Sequence, residues 1–206
     1  MIRNPADNLN PVIPRMGKQI LISLKILALM ILLTGVLYPA FITVIAHLLF
    51  REKALGSIIR ADDVVIGSEL IGHNFDSSTY FSSRPSATGS NTLPSAGSNL
   101  CLTNDRLKQQ VAEREQYFLR YNGLGTGTEV PAEMLFSSAS GLDPHISPEA
   151  AFLQVGRIAK ERNFSAGQKE TLQKLITQLS EESQFRILGQ KRINVFVLNL
   201  ELDKIH

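Results

Sequence analysis

The sequence predicts an α+β protein: a single N-terminal transmembrane helix followed by one small mixed α/β extracytoplasmic domain. Three observations carry that prediction. Ile26 to Phe50 is a run of 25 residues without Lys, Arg, Asp or Glu, and no second run of that length occurs among the 206 residues. Three later segments repeat apolar residues at helical spacing. Short β-branched runs flank them. At about 1.5 Å rise per residue, the first run is long enough to cross the roughly 30 Å hydrocarbon core of a bilayer. It lacks the polar stripe of a soluble amphipathic helix, having only Thr34, Tyr38, Thr43 and a late His47.

A cleaved secretory signal is the competing reading. Its apolar region would span about 7–15 residues and end in a small-x-small site. Val44-Ile45-Ala46-His47 supplies no such site, so a retained anchor is expected. The chain then divides into a cytoplasmic tail (1–19), a transmembrane helix (20–50) and an extracytoplasmic domain (51–206). Residues 1–25 carry Arg3, Arg15, Lys18 and Lys25 against Asp7, a net charge of +3, whereas residues 51–206 carry 17 basic and 18 acidic side chains. Cations beside a span tend to stay in the cytoplasm, which places the tail inside and the domain outside. Because the formal +2 of the whole chain comes from the tail, charge gives no argument for nucleic acid as a partner. A single cysteine, Cys101, excludes an intrachain disulfide. It is expected to be a small buried apolar residue.

The membrane helix has a patterned side. Ala28, Gly35, Pro39, Thr43 and Ala46 fall within an arc of roughly 80° at α-helical pitch. Small residues on one side let a neighbouring helix approach closely in lipid, so a packed partner helix is expected. Pro39 removes one backbone donor, and a kink is expected there.

Beyond the membrane, Ile58-Ile59 and Val64-Val65-Ile66 suggest short strands. Residues 82–99 are dominated by Ser, Gly, Pro, Asn and Thr with Arg84 the only charge, and read as a long irregular segment. Within a compact domain such a segment is more often functional than accidental. A helix follows from about Asn104 to Tyr121, with Leu107, Val111 and Phe118 on one face, and Asn122-Gly123 closes it. Gly123, Gly125 and Gly127 form a flexible link. Ser147-Pro148 begins the next helix, with Phe152, Val155, Ile158 and Ala159 as its apolar face and an end near Asn163. Ser165 and Gln168 offer a capping box for a helix whose buried stripe is Leu172, Leu175, Ile176 and Leu179. After Phe185–Leu188 and a Gly-Gln-Lys-Arg turn, Ile193 to Leu200 reads as a central strand, apolar on both faces.

Catalytic signatures are sparse. The sequence has no GxxxxGK[ST] loop, no GxSxG elbow and no His- or Cys-rich metal cluster. Asp143 and His145 lie near Ser138 and Ser140, but Asp143-Pro144-His145 reads more simply as a turn into the Ser147 cap. His73 reads as a loop or core histidine. Asp62, Asp63, Glu69 and Asp76 occur between Ala61 and Ser83 without a compensating Lys or Arg. Such a surface would attract cations, although an ordinary solvated acidic face explains it as well.

Several runs carry a family resemblance. They are Leu33-Thr34-Gly35-Val36-Leu37-Tyr38-Pro39, Gly67 to Phe75, Tyr80-Phe81-Ser82-Ser83-Arg84-Pro85-Ser86-Ala87, Ser95 to Leu100, Ser140-Gly141-Leu142-Asp143-Pro144-His145-Ile146-Ser147-Pro148, and Val195 to Leu200. In this order, over about residues 30–203, the chain resembles the C subunit of the Kdp potassium-transporting ATPase (the KdpC family). The resemblance implies an accessory, non-catalytic subunit of a bacterial inner-membrane complex for ATP-driven potassium uptake. Its implied partners are a potassium-channel-like subunit, a P-type ATPase subunit and a small peptide subunit, with membrane lipid around the helix. It implies no cofactor of its own, ATP being used by the complex, and a chaperone-like role that raises the ATP affinity of the ATPase subunit. A domain outside the membrane would exert that effect indirectly. Two alternatives are direct nucleotide binding through the Ser137–Gly141 stretch and a membrane-anchored hydrolase using Ser140, Asp143 and His145. Arg84, Pro85, Ser86, Gly141, Asp143, Pro144, His145, Ser147 and Pro148 are the motif residues marked as site candidates.

Overall fold

The computed structural model describes residues 13–61, 63–75 and 77–205, so Asp62 and Asp76 lie outside the described residues. The chain divides into two compact units, the first ending at Leu55 and the second beginning at Gly56.

The first unit is the apolar helix. Met16–Leu49 is long and apolar enough to cross a membrane, and none of it is buried within the protein. It runs as α1 (Ile13–Ile31), a π-helical segment (Leu32–Leu37) and α2 (Tyr38–Leu49). A short α3 (Arg51–Ala54) follows. The π segment precedes Pro39, and the Tyr38 N–H reaches back five residues to the Leu33 carbonyl. A missing proline donor is thus accommodated by a locally wider turn. Thr34 and Thr43 turn their hydroxyls inward, donating to the Met30 and Pro39 carbonyls at 2.7 and 2.8 Å. Both hydroxyls are thereby satisfied within the helix, as a lipid environment requires. Pro39, Thr43 and Ala46 share α2, Gly35 lies in the π segment and Ala28 precedes it.

The second unit begins with a hairpin, β1 (Ile58–Ala61) against β2 (Val64–Ser68), with a register shift between Ile59 and Arg60. No helix or strand occurs from Glu69 to Asn104 among the described residues. Three helices then build the core: α4 (Asp105–Asn122), α5 (Pro148–Glu161) and α6 (Ala166–Leu179). The Asn104 side chain caps α4 by accepting from the Arg106 N–H, and Gly123 closes it. Ser147 accepts from the Ala150 N–H at the head of α5. Ser165 and Gln168 form the expected capping box. Leu172 and Ile176 are buried, with Leu175 and Leu179 packed at the edge of the core.

Three expectations are corrected. Ile193 to Leu200 is not one central strand: β4 is only Ile193–Asn194, paired with β3 (His145–Ile146), and α7 (Val195–Leu202) takes over. Asn194 causes the switch, its Oδ1 accepting from the Phe196 and Val197 N–H groups at 3.0 and 3.2 Å. The buried residues Val195, Leu198, Asn199 and Leu202 then recur at helical spacing. That period was masked by apolar residues between them. Phe152 lies on the outer side of α5 and is 41% exposed, whereas Ala151, Gln154, Val155 and Ile158 face inward. Cys101 is exposed rather than buried. The hydroxyl of Thr103 beside it lowers its thiol pKa from the ordinary value.

Candidate functional site

The core side chains shape the irregular segment around residues 77–91. Gln154 and Asn199 are almost fully buried, where an amide without partners would be costly. Each amide instead grips both backbone polar groups of one residue. Asn199 accepts from the Phe81 N–H at 2.8 Å and donates to the Phe81 carbonyl at 3.0 Å. Gln154 does the same for Ser82, at 2.8 and 3.3 Å. Two side-chain amides thus perform the work of a neighbouring strand.

Two arginines of this region extend the clasp. Arg157, buried, donates to Asn122 Oδ1 at 2.9 Å, to Gln154 Oε1 at 3.0 Å and to the Ser78 carbonyl, with its guanidinium over the Tyr121 ring. Arg162 donates to the Thr79 carbonyl at 2.8 Å and to Asp203 at 2.7 Å. The Tyr80 hydroxyl donates to the other oxygen of Asp203 at 3.0 Å. Burial, then that hydrogen bond to a carboxylate, raises the Tyr80 pKa.

Held this way, the segment delivers Arg84 to Asp143. Arg84 Nη1 lies 2.6 Å from Asp143 Oδ2. The other carboxylate oxygen receives the His145 backbone N–H at 3.0 Å and lies 3.3 Å from His145 Nδ1. Burial alone would raise the Asp143 pKa. The His145 hydrogen bonds and the Arg84 charge outweigh it and hold the carboxyl at about 2. These three side chains line a cleft of about 490 Å³ shared with Glu133, Lys191 and Arg192. Among the described residues no group of three or more His, Cys, Asp or Glu side chains is placed to hold a metal ion.

The other motif residues serve the loops. Gly141 has φ +70°, and an added Cβ would stand 3.0 Å from the Ala96 carbonyl and from the Ser86 and Thr88 hydroxyls. Both the turn and the close approach require glycine there. The Gly72 N–H donates to the Leu142 carbonyl at 2.7 Å, and a Cβ on it would collide with the Asp143 carbonyl. Ser86 Oγ accepts from the Thr88 and Ser90 N–H groups. The Pro144 carbonyl accepts from the Val195 N–H at 2.9 Å, tying the motif to α7. Ser147 and Pro148 start α5. Pro85 lines a second, 340 Å³ pocket with Arg114, Tyr117 and Tyr121.

The hydroxyls considered for chemistry are differently engaged. Ser140 Oγ accepts from the Leu142 N–H at 3.1 Å, and Ser137 Oγ accepts from Arg114 at 3.3 Å. Ser138 is buried. Ser140 lines one surface cleft and His145 another, and Arg84 and Asp143 line both. His73 stacks on Phe196 with centroids 4.4 Å apart, and its Nε2 is buried without a hydrogen-bond partner among the described residues, as is Arg84 Nε. Asp63 and Glu69 are exposed at opposite ends of β2, about 20 Å apart along a strand of that length. What sequence reasoning missed was the clasp of Gln154, Arg157, Arg162 and Asn199. Its only local signal is polar side chains on otherwise apolar helix faces.

An apolar N-terminal helix and a small α+β domain braced by buried polar side chains define a single-helix-anchored protein class. Comparison with known proteins narrows the class. The family described as "K+-transporting ATPase, c chain" (KdpC) matches residues 20–204. A "Potassium-transporting ATPase KdpC subunit" of Pectobacterium atrosepticum is 43% identical over 185 residues, covering 88% of this chain and 94% of the relative. The like-named protein of Caldanaerobacter subterraneus subsp. tengcongensis is 40% identical, covering 91% and 95%. That of Shigella dysenteriae is 44% identical, covering 85% and 92%. The chain belongs to the KdpC family.

Proposed function

We propose that this chain is the accessory subunit of an ATP-driven potassium uptake complex. Its apolar helix sits in the bacterial inner membrane, its N-terminus is cytoplasmic and its domain is extracytoplasmic. Its partners are a potassium-channel-like subunit, a P-type ATPase subunit and a small peptide subunit, with lipid around the helix. The carrying observation is membership of the KdpC family across residues 20–204, on a chain with one helix fit to span a bilayer.

The chain needs no catalytic residues or cofactor for this role. Its buried polar groups brace loops, and the Arg84–Asp143–His145 group is an ion pair supported by a histidine. The chain raises the ATP affinity of the ATPase subunit by coupling through the complex rather than by touching ATP. The Ser137 hydroxyl accepts from Arg114 and the exposed Ser140 hydroxyl from the Leu142 N–H, contacts within the domain that support this reading over direct nucleotide binding. Ser140 Oγ accepts from the Leu142 N–H and makes no hydrogen bond to His145 among the described residues, which disfavours the hydrolase reading. The test is potassium-stimulated ATP hydrolysis by the transporter purified with and without this chain. A lower half-saturating ATP concentration with the chain, and no labelling of Ser138–Gly141 by a photoreactive ATP analogue, is expected. Saturable labelling there would favour direct binding, and identical ATP dependence would overturn the coupling role.

A further inference from the structure

Between α6 and β4 the chain forms a finger that the core does not use. Glu181 and Arg192 exchange both backbone hydrogen bonds, at 2.8 and 3.1 Å. The Gln184 N–H donates to the Leu188 carbonyl at 2.9 Å. At the tip, the Ile187 N–H donates to the Gln184 carbonyl, and both central residues of that turn have positive φ: Phe185 at 53° and Arg186 at 59°. Such turns normally take Asn-Gly. Here bulky residues hold a conformation that disfavours them. The tip is also apolar and bare: Phe185 is 87% exposed, Ile187 82% and Leu188 60%, and none of the three belongs to the hydrophobic core.

We propose that this finger is a docking element whose tip inserts into an apolar, acidic-rimmed pocket on the extracytoplasmic surface of a membrane-embedded subunit of the same transporter. The inference rests on the accessory-subunit reading. Size argues for that occupant. Two free copies forming a stable dimer bury about 800 Å² each, far more than three tip side chains supply. A contact this small holds where both partners are already confined, and anchoring in one membrane supplies that confinement as a high effective concentration. Charge argues against lipid. Attachment to a bilayer surface draws on cations free to meet headgroups. In the stem, Arg192 pairs with Glu181 at 2.9 Å and Lys191 with Glu182 at 2.8 Å. Only Arg186, beside the apolar tip, makes no ion pair with a described residue; one free cation is fewer than the cluster of several that holds a segment to anionic lipid, and it suits an acidic rim on a protein pocket instead. Exposed aromatic and arginine side chains are the residue types that anchor protein interfaces.

The test places a photoreactive benzoyl-phenylalanine at Phe185 in the full chain, expressed with the transporter subunits in membranes. The expected product is a crosslink to one membrane-embedded subunit. Ile187→Ser with Leu188→Ser lowers its yield at least about tenfold. Both variants retain the circular dichroism of the unaltered chain, because these side chains lie outside the core. Crosslinking to lipid, crosslinking to a second copy of this chain, or no adduct while the chain still co-purifies with the transporter would each overturn the finger's role and leave the accessory reading standing. Failure to co-purify would overturn that reading, and the finger's role with it.

Discussion

Asp143 makes the domain sensitive to acid. Burial opposes its charge, but the His145 hydrogen bonds and the Arg84 guanidinium keep its carboxyl at about 2 in the folded chain. In the unfolded chain it titrates near its ordinary value of about 3.9. Its stabilisation is therefore complete above pH about 4 and is lost as pH falls toward 2, a difference of roughly 2 kcal/mol. In denaturant titrations of the detergent-solubilised protein, Asp143→Asn is expected to cost about 2 kcal/mol at pH 7. It is also expected to flatten the pH dependence in that window. An unchanged acid profile would show that the ion pair contributes nothing. Asn199→Ala is expected to cost more, about 3 kcal/mol, since it strands both the N–H and the carbonyl of buried Phe81. A loss under 1 kcal/mol in the same titration would mean that water or another group replaces the amide.

Elements whose ends are written in neighbouring residues were legible before the fold was known. Asn122-Gly123, Ser147-Pro148 and the Ser165–Gln168 box act within a few positions, and each marks an observed helix end. The short strands at Ile58-Ile59 and Val64-Val65-Ile66 were legible from their β-branched runs, whereas their antiparallel pairing came from the fold. The identity of α7 was not, because Asn194 caps a segment whose apolar residues satisfy periods of both 2 and 3.6. The clasp on Phe81 and Ser82 was beyond reach too, as its partners lie 118 and 72 residues away. Of the candidate site, Arg84 entered through family resemblance, and Asp143 and His145 through both that resemblance and their closeness in sequence, whereas the contact of Arg84 with Asp143 came only from the fold. Gly35 permits an element-scale test. A Cβ added there meets nothing of its own unit closer than Ile31 Cγ2 at 4.0 Å, so Gly35→Leu is expected to leave the helix intact. If a neighbouring helix packs on that side, the variant is expected to separate from its partners in mild detergent, read as lost co-purification. Full retention would place the partner elsewhere.

For the whole molecule, an anchor and a domain divide the labour. In the proposed role the helix confines the chain to the bilayer, and the domain, its loops braced by buried polar side chains, meets the partner subunits. The tail's excess of cations sets the expected orientation. Protease added to spheroplasts is accordingly expected to cut at exposed Arg106 or Lys108, and the same sites are expected to be protected in inverted vesicles. The opposite pattern would put the domain in the cytoplasm and revive direct contact with ATP. The most direct measurement of the central claim is growth on limiting potassium in cells that carry the partner subunits with or without this chain. Growth restored only when the chain is present is the expected result; equal growth without it would contradict an accessory role in potassium uptake.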